Sequence, residues 1–387
     1  MSKRSLTRLG IAVLSLAVLA PSMAPAQAAT DIKIGVITST SGPLATYGVA
    51  YKDGFTWGLN YYTGGKMAIN GQKLVVTSKD DGADPASATA SFKEMVGNGT
   101  KVIVGTASSG VALTLAPLAQ QNKILYISGP AKNDLVTSAA NKYVFRSGNS
   151  STQDLAPLAG IKPISGRKVV LFVEDNAFGA GNIAAAKALM GPKGAKFEEI
   201  KVPTTTSDFT PFAKKAADAA GTYIFIAWSN ALTAGAMLTS LKVQGAFTKQ
   251  RPITGLAGAD TYNIYGTLFE GTNAILTNSY FAGAANTGAA ADLARWYADN
   301  KKTQDLFTST GADAAKMVVM ALTKNPTQNV DTMIKNLEGK SWVGVKGLMT
   351  IDPNTHLLIQ PMFLVSLNKS GSAYVPNLLK TIASVGK

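Results

Sequence analysis

The sequence predicts an α/β fold built as two lobes with a cleft between them. Apolar strand-like runs alternate with helix-like runs, and short connections join them. This alternation is typical of a parallel sheet covered by helices on both faces. Two series of similar size follow one another. A mature chain of about 360 residues also exceeds one ordinary hydrophobic core. No Gly/Ser-rich linker separates the series, so we expect several strands to join the lobes.

Residues 1–28 have the three parts of a secretory signal. Basic residues precede an apolar stretch from Leu9 to Ala20, and Ala26-Gln27-Ala28 matches a small-residue cleavage site. We therefore expect cleavage near Ala28 and export. The sequence contains no cysteine, which excludes disulfides, thiolate metal sites and a lipid-modified N-terminal cysteine. An exported protein without a lipid anchor fits a periplasm.

The charge pattern argues against nucleic-acid binding. The formal net charge of the whole sequence is +14 at pH 7, but the lysines are scattered and no basic block interleaves with aromatic residues. The single histidine, His356, lies in a predicted turn and cannot make a typical zinc site alone. No nucleophile elbow, P-loop or H-E-x-x-H pattern is present. The sequence predicts a binding protein rather than an enzyme, without a metal or cofactor.

The first series begins with a buried strand over Ile32–Ile37 and a loop rich in hydroxyls and glycine. Asp84 is the predicted N-cap of the helix that starts with Pro85. Further predicted strands cover residues 73–78, 102–104 and 124–127, and helices start near residues 44, 85 and 109.

The second series begins after residue 148 and extends to the C-terminus. Predicted helices cover residues 152–161, 182–190, 208–219, 231–243, 289–300, 312–323 and 330–337. Predicted strands cover residues 169–173, 197–202, 223–227, 252–254, 274–276, 348–351 and 357–367.

Candidate binding residues follow the strands of the first series. The carboxyl ends of strands in open α/β sheets bind small, often anionic ligands. Ser41 and Tyr47 follow the first strand. Ser108 and Ser109 open a helix, where they either hold a carboxylate or simply cap the helix. The loop after the next strand contributes Gly129, Ala131 and Lys132.

Two aromatic residues occupy matching places in the second series. Phe178 lies on the loop after strand 169–173, and Trp228 follows strand 223–227. Trp228 either walls the cleft or packs under its helix. Residues 179–184 match G-x-G-x-x-A, but five residues separate them from the strand. We therefore interpret them as small residues that open a packed helix rather than as a dinucleotide site.

As a set, these features resemble the leucine/isoleucine/valine-binding type of substrate-binding protein that serves ABC importers. The resemblance covers nearly all of the mature chain. The matching segments are Ile34-Gly35-Val36, Ser41-Gly42-Pro43, Tyr47-Gly48, Asp80-Asp81, Asp84-Pro85, Val104-Gly105, Ser108-Ser109, Ser128-Gly129-Pro130-Ala131 and Phe145-Arg146-Ser147.

The resemblance implies two Rossmann-like lobes with parallel-sheet cores, joined by three hinge crossovers, as in type I periplasmic binding proteins. The N-terminal lobe would comprise residues 29–147 and 280–349, and the C-terminal lobe residues 148–279 and 350–387. Relatives of this type close on a small-molecule ligand and dock on the membrane subunits of an ABC permease. The implied oligomeric state is a monomer.

The resemblance also implies roles for individual residues. Ser108 or Ser109 matches the serine that binds the ligand's carboxylate, with backbone groups from Gly129 to Lys132 assisting. Phe178 matches the aromatic residue that covers the ligand.

The sequence departs from the family pattern in three places. Alanines, Ala83 and Ala107, stand where the prototype pairs two cysteines. Lys132 stands near an expected threonine and offers a point charge to a carboxylate. Ala257 stands where an acid should receive the ligand's ammonium. Either Asp260 replaces that acid, or the ligand lacks an α-amine.

The sequence thus predicts periplasmic capture of a small carboxylate-bearing solute, such as a branched-chain or other apolar amino acid, for an ABC importer. One alternative is an aromatic or aliphatic acid, or an amide, that lacks an α-amine. Another is a ligand-sensing protein for a receptor.

Overall fold

Two β-sheets organise the computed structural model, which describes residues 30–137, 141–160, 164–255 and 258–386. Both sheets are mixed, with mostly parallel strands, so the predicted α/β class is confirmed. The predicted signal segment, residues 1–28, and Ala257 lie outside the described ranges.

The first sheet has six strands within these ranges. They are β1 (Ile32–Thr38), β2 (Ala68–Ile69), β3 (Gln72–Asp80), β4 (Val102–Gly105), β5 (Leu125–Ser128) and β6 (Val144–Arg146). The spatial order is β2-β3-β1-β4-β5-β6. Strand β1 pairs in parallel with both β3 and β4, and all its residues except Lys33 are buried. A near-continuous apolar run is what such a central parallel strand requires.

The second sheet has nine strands among the described residues. They are β7 (Lys168–Glu174), β8 (Lys196–Val202), β9 (Tyr223–Ala227), β10 (Arg251–Thr254), β11 (Ile275–Asn278), β12 (Ser341–Gly344), β13 (Gly347–Ile351), β14 (Leu358–Ser370) and β15 (Ala373–Val385). Their order is β12-β13-β14-β11-β10-β9-β7-β8, and β15 pairs with β14. Strands β7 to β11 pair in parallel, whereas β14 runs antiparallel to β11, β13 and β15. Strands β12 and β13 therefore belong to the second sheet, although the resemblance assigns residues 341–349 to the N-terminal lobe.

Helices connect most of the parallel strands. They are α1 (Ala45–Tyr62), α2 (Pro85–Gly97), α3 (Ser109–Asn122), α4 (Ser151–Leu155), α5 (Ala177–Met190), α6 (Thr210–Ala219), α7 (Ala234–Val243), α8 (Ala246–Lys249), α9 (Tyr262–Phe269), α10 (Gly288–Asp299), α11 (Thr308–Leu322) and α12 (Val330–Leu337). Asp84 caps α2 as predicted, since its side chain accepts the N–H of Ser87 at 2.8 Å.

Helix α11 returns the chain to the first sheet by packing closely on α1. A Cβ atom added to Gly311 would lie 1.9 Å from the carbonyl oxygen of Tyr51, and one added to Gly54 would lie 2.0 Å from that of Thr308. Only glycine allows the two backbones to approach this closely. The contact places Phe307, just before α11, beside the loops of the first sheet.

The single histidine, His356, joins the turn between β13 and β14 to β6. Its ring stacks on Phe145 with centroids 3.8 Å apart. Its Nδ1 lies 3.1 Å from the carbonyl oxygen of Val144, and its Nε2 lies 3.3 Å from Glu338. His356 is therefore a packing residue between the two sheets.

Some elements differ from the sequence prediction. The helix predicted over residues 152–161 is the single turn α4, which a 3-10 turn continues over Ala156–Gly160. Strand β15 was not predicted, because most of its side chains are partly or fully exposed and it contains Pro376. Such an edge strand lacks the apolar alternation that marks a half-buried strand.

Within the described ranges, no helix combines the length and the apolar character needed to cross a membrane.

Candidate functional site

A cavity lies between the carboxyl ends of the two sheets. Its empty space measures about 550 Å³, counting the open mouth. The first-sheet side consists of Leu44, Tyr47, Ala107, Ser108, Ser109, Gly110, Pro130 and Lys132. The opposite side consists of Asn176, Ala177, Phe178 and Ser229, and Phe307 precedes α11. The cavity therefore lies where open parallel sheets bind ligands.

Two helices point their N-termini at this cavity. Ser108 is the N-cap of α3, and its side chain accepts the N–H of Val111 at 3.4 Å. Asn176 is the N-cap of α5, and its side chain accepts the N–H of Gly179 at 2.9 Å. A helix N-terminus carries a partial positive charge and unpaired N–H groups. The two ends together favour an anionic group in the cavity.

Ser109 fixes the loop that follows β5. Its Oγ accepts the N–H groups of Lys132 and Asn133, both at 3.3 Å. The side chain is almost fully buried yet still borders the cavity. Because a hydroxyl also has one hydrogen to donate, Ser109 can hold the loop and contact a ligand together.

Lys132 brings a buried positive charge to the same wall. Its Nζ lies 2.7 Å from Oδ2 of Asp154, donates to the carbonyl oxygen of Gly255 at 3.2 Å, and lies 5.6 Å from the ring centroid of Phe307. The two charged side chains are only 2% and 1% exposed. Burial raises the pKa of Asp154 to about 6, although Lys132 opposes the shift.

Three aromatic rings form the apolar part of the cavity. Tyr47 and Phe307 meet edge to face with centroids 5.2 Å apart, and Phe178 lies opposite them on α5. Burial raises the pKa of Tyr47 well above its usual value, so its hydroxyl stays neutral. Sequence reasoning missed Phe307, because only the packing of α11 on α1 brings it to the cavity.

Glu174 ties together the two loops that border the cavity on the second sheet. Its carboxylate accepts the N–H groups of Ser229 at 3.0 Å and Asn230 at 3.1 Å, and the amide of Asn176 at 3.1 Å. The Ser229 hydroxyl donates to it as well. Sequence reasoning missed this role, although an acid at the end of a buried strand is a usable signal.

Several predicted residues lie elsewhere. Ser41 is exposed, and its N–H donates to Asp80 at 3.3 Å. Gly129 and Ala131 are buried without bordering the cavity; Arg146 donates to the carbonyl oxygen of Ala131 at 2.7 Å. Among the predicted residues, the structure thus brings together Tyr47, Ser108, Ser109, Lys132 and Phe178.

Trp228 packs in the core of the second sheet. Its ring lies against Phe172 and Phe209, with centroids 6.2 and 5.4 Å apart, and its Nε1 donates to Thr233 at 3.1 Å. This is the packing alternative for Trp228, and the residue does not border the cavity.

Asp260 borders a neighbouring depression rather than the cavity. Asp53 and Asp305 lie in the same depression. Burial is the main cause of the raised pKa of Tyr47, and the charges of Asp260 and Asp305 add to it. These two carboxylates therefore lie near the Tyr47 ring.

The family model described as "Periplasmic binding protein" matches residues 31–372. This chain belongs to the periplasmic binding protein family. Leu/Ile/Val-binding protein homolog 6 of Brucella suis biovar 1 is 27% identical over an alignment of 389 positions, which covers 93% of each chain. The resemblance predicted from the sequence is confirmed.

Solved structures agree with this assignment. An ABC-type branched-chain amino acid transporter protein from Rhodopseudomonas palustris CGA009 is 28% identical, has a TM-score of 0.76, and is matched over 92% of this chain and 97% of that one. A solute binding protein of an ABC transporter from Rhodopseudomonas palustris HaA2, in complex with p-hydroxybenzoic acid, has the same fold. It is 22% identical, has a TM-score of 0.81, and is matched over 92% and 97% of the two chains. This periplasmic binding protein is thus a solute-binding protein of ABC transporters.

Proposed function

We propose that this periplasmic binding protein captures a small solute that carries a carboxylate on an apolar body. The observation that carries the proposal is the cavity itself, where two helix N-termini and Lys132 meet three aromatic rings.

The carboxylate binds at the wall formed by α3 and Lys132. Ser109 and Gly110 lie in the first turn of α3, where backbone N–H groups have no partner within the helix. Lys132 adds a full positive charge beside them. Charge-assisted hydrogen bonds of this kind are stronger than neutral ones.

The apolar body of the solute packs between Tyr47, Phe178 and Phe307. Aromatic rings bury a large apolar area. A pair of stacked rings contributes about 0.5–1.5 kcal/mol in addition to the contribution of the buried area. This supports an aromatic acid, and a branched aliphatic acid fits the same wall.

The cavity lining favours a solute without an α-amine. Among the described residues that border the cavity, none is an Asp or Glu. The carboxylates nearby, Glu174 and Asp154, already accept hydrogen bonds from protein donors. A buried ammonium without an acceptor is costly.

An apolar amino acid is the second candidate, and two observations favour it. Relatives carry the name Leu/Ile/Val-binding protein. Asp260 and Asp305 lie beyond Tyr47, where they could receive an ammonium that extends past the ring. The sequence-based assignment of Asp260 as the ammonium partner therefore belongs to this candidate.

We propose that the signal in residues 1–28 exports the mature protein to the periplasm, where it acts as a monomer. The lobes, residues 29–147 with 280–349 and 148–279 with 350–387, close on the solute and then dock on ABC permease subunits. Transport, rather than sensing for a receptor, is the role that the family supports.

Calorimetry with matched pairs of solutes tests the proposal. The pairs are L-leucine with 4-methylpentanoate and L-phenylalanine with 3-phenylpropanoate, together with 4-hydroxybenzoate. The proposal expects the deaminated acids to bind more tightly than their amino acids. A ligand at 100 times its Kd should also stabilise the fold by about 2.7 kcal/mol.

Three outcomes are decisive. Tighter binding of the amino acids selects the second candidate. Failure of every carboxylate to bind rejects the proposed function. Recovery of a chemically altered solute would show an enzyme instead.

A further inference from the structure

We propose that Asp154 takes up a proton when a solute carboxylate binds beside Lys132. The inference rests on the proposed function, because it requires a carboxylate in the cavity. It makes capture electrically neutral: a negative solute enters together with one proton.

The geometry leaves room for one more acceptor at Lys132. An ammonium has three N–H donors. Two of them are used within the described residues, by Oδ2 of Asp154 at 2.7 Å and by the carbonyl oxygen of Gly255 at 3.2 Å. Lys132 borders the cavity, and we assign its third donor to the solute carboxylate.

The charge balance changes when that acceptor is a carboxylate. Lys132 and Asp154 are 2% and 1% exposed, so water screens neither charge. A second carboxylate at Lys132 leaves two buried anions for one cation. Two carboxylates that share a site do not both remain ionised cheaply.

Among the described residues around Asp154, no other cation is free to neutralise the second carboxylate. Asp134 adds negative potential at Asp154. Lys346, the other buried cation nearby, interacts most strongly with Asp313 and donates to Gln360. Within the described residues, these groups and Lys132 are the charges identified around Asp154.

Asp154 is prepared to accept the proton. Among the described residues, the neutral amide of Asn149 is the donor to its Oδ1, at 2.6 Å. Burial already raises its pKa to about 6 while Lys132 is beside it. The incoming carboxylate competes for Lys132 and raises that pKa further, so binding draws a proton from solution near pH 7.

The sign of the pH dependence follows from linkage. Above pH 6 the free protein holds Asp154 ionised and the complex holds it protonated, so the association constant falls as pH rises. One fully linked proton gives a tenfold fall per pH unit. Below pH 6 the residue is already protonated and the dependence flattens.

Calorimetry in buffers of different ionisation enthalpy, phosphate and Tris at pH 7.5, measures the proton directly. The probes are 4-hydroxybenzoate and 4-methylpentanoate, and each is paired with its uncharged amide. We expect up to one proton taken up with each acid and none with either amide. This measurement uses the unaltered protein and so does not depend on a variant that folds.

Asp154→Asn is the test variant, and Asp313→Asn is the matched control. Both remove a buried carboxylate that interacts with a lysine. Lys132, the partner of Asp154, borders the cavity, whereas Lys346, the partner of Asp313, does not. Asp154→Asn should abolish proton uptake and raise the association constant at pH 8 at least tenfold. Asp313→Asn should keep the uptake.

The outcomes separate this inference from the proposed function. Binding of the acids without proton uptake overturns the inference and leaves the function standing. Uptake that survives Asp154→Asn but disappears in Asp313→Asn also overturns it. Failure of both acids to bind overturns the function and the inference together.

Discussion

Asn133 and Ala177 are joined across the cleft: Nδ2 of Asn133 donates to the carbonyl oxygen of Ala177 at 2.6 Å. Asn133 follows β5 of the first sheet, and Ala177 is the first residue of α5 beside the second sheet. A second contact, from the N–H of Ala231 to the carbonyl oxygen of Pro43 at 3.3 Å, bridges the same two sides. These bonds hold the cavity walls at their present separation.

Gly181→Ala should weaken solute binding without destabilising the fold. An added Cβ would lie 2.9 Å from Nδ2 of Asn133, so it pushes the two walls apart. Within helix α5, however, alanine is favoured over glycine by about 1 kcal/mol. Loss of one hydrogen bond costs about 0.5–1.5 kcal/mol, which offsets this gain. We therefore expect a nearly unchanged Tm and a Kd increased about three- to tenfold.

Gly288→Ala is the control for that variant, because a Cβ at Gly288 meets no atom within 4 Å. It should leave the Kd unchanged. An equal loss of affinity in both variants would contradict the role assigned to the Asn133 bridge.

Phe178→Ala should reduce affinity for aromatic acids. The ring is 8% exposed and borders the cavity. Loss of a buried aromatic contact corresponds to about 1.5–3 kcal/mol, which is roughly a 10- to 100-fold increase in Kd. Phe178→Leu retains most of the volume and should lose less for 4-methylpentanoate than for 4-hydroxybenzoate. Equal losses for the two acids would show that the Phe178 ring does not stack on the aromatic solute.

Lys132→Met should both abolish carboxylate binding and destabilise the fold. The variant leaves Asp154 buried without its partner, and breaking such a pair typically costs about 3–5 kcal/mol. Lys132→Met combined with Asp154→Leu removes both charges and should recover most of the stability. Binding should stay lost, because the positive charge is still missing. Recovery of binding in the double variant would remove Lys132 from the carboxylate site.

Denaturation with urea measures the stability of these two variants. Lys142→Met is a suitable comparison, because it breaks an exposed ion pair with Asp331 of similar length, 2.8 Å. Exposed pairs contribute little, so its urea midpoint should hardly change.

Stability should fall as pH rises from 5 to 7. Burial raises the pKa values of Asp154 and Asp313 above those of the unfolded chain. The folded state therefore binds more protons than the unfolded state in this window, and the free energy of unfolding decreases with pH. Burial lowers the pKa of Lys346, and this shift changes the free energy of unfolding only at higher pH.

Urea midpoints at pH 5, 6 and 7 measure this slope. Asp313→Asn combined with Lys346→Gln should make it shallower and leave the part that belongs to Asp154. A midpoint that rises with pH over this range would contradict the prediction.

The sequence allowed the central strands to be predicted because their signals are local. Strand β1 is an apolar run that ends in polar loop residues, and Asp84-Pro85 marks a helix start without any tertiary information. Ser108, Ser109 and Lys132 could be found because they immediately follow such strands. They border the cavity because the carboxyl ends of parallel strands meet at one edge of the sheet, and the sequence pattern predicts that geometry.

The other site features depend on packing between distant segments. Phe307 reaches the cavity through the close approach of α11 to α1, and the partner of Lys132 is Asp154, 22 positions later in the chain. The pattern around Trp228 was equally compatible with a cleft wall and with a core. Only the positions of Phe172 and Phe209 distinguish these two environments.

The stacking of His356 on Phe145 gives this protein a built-in spectroscopic reporter. The chain contains one histidine, so its imidazole C–H signals in a proton NMR spectrum have no other imidazole to overlap with. The ring current of a phenylalanine 3.8 Å away makes their chemical shifts sensitive to small displacements between β6 and the β13–β14 turn. Movement of the two sheets on solute capture can therefore be followed in unlabelled protein, with no engineered probe.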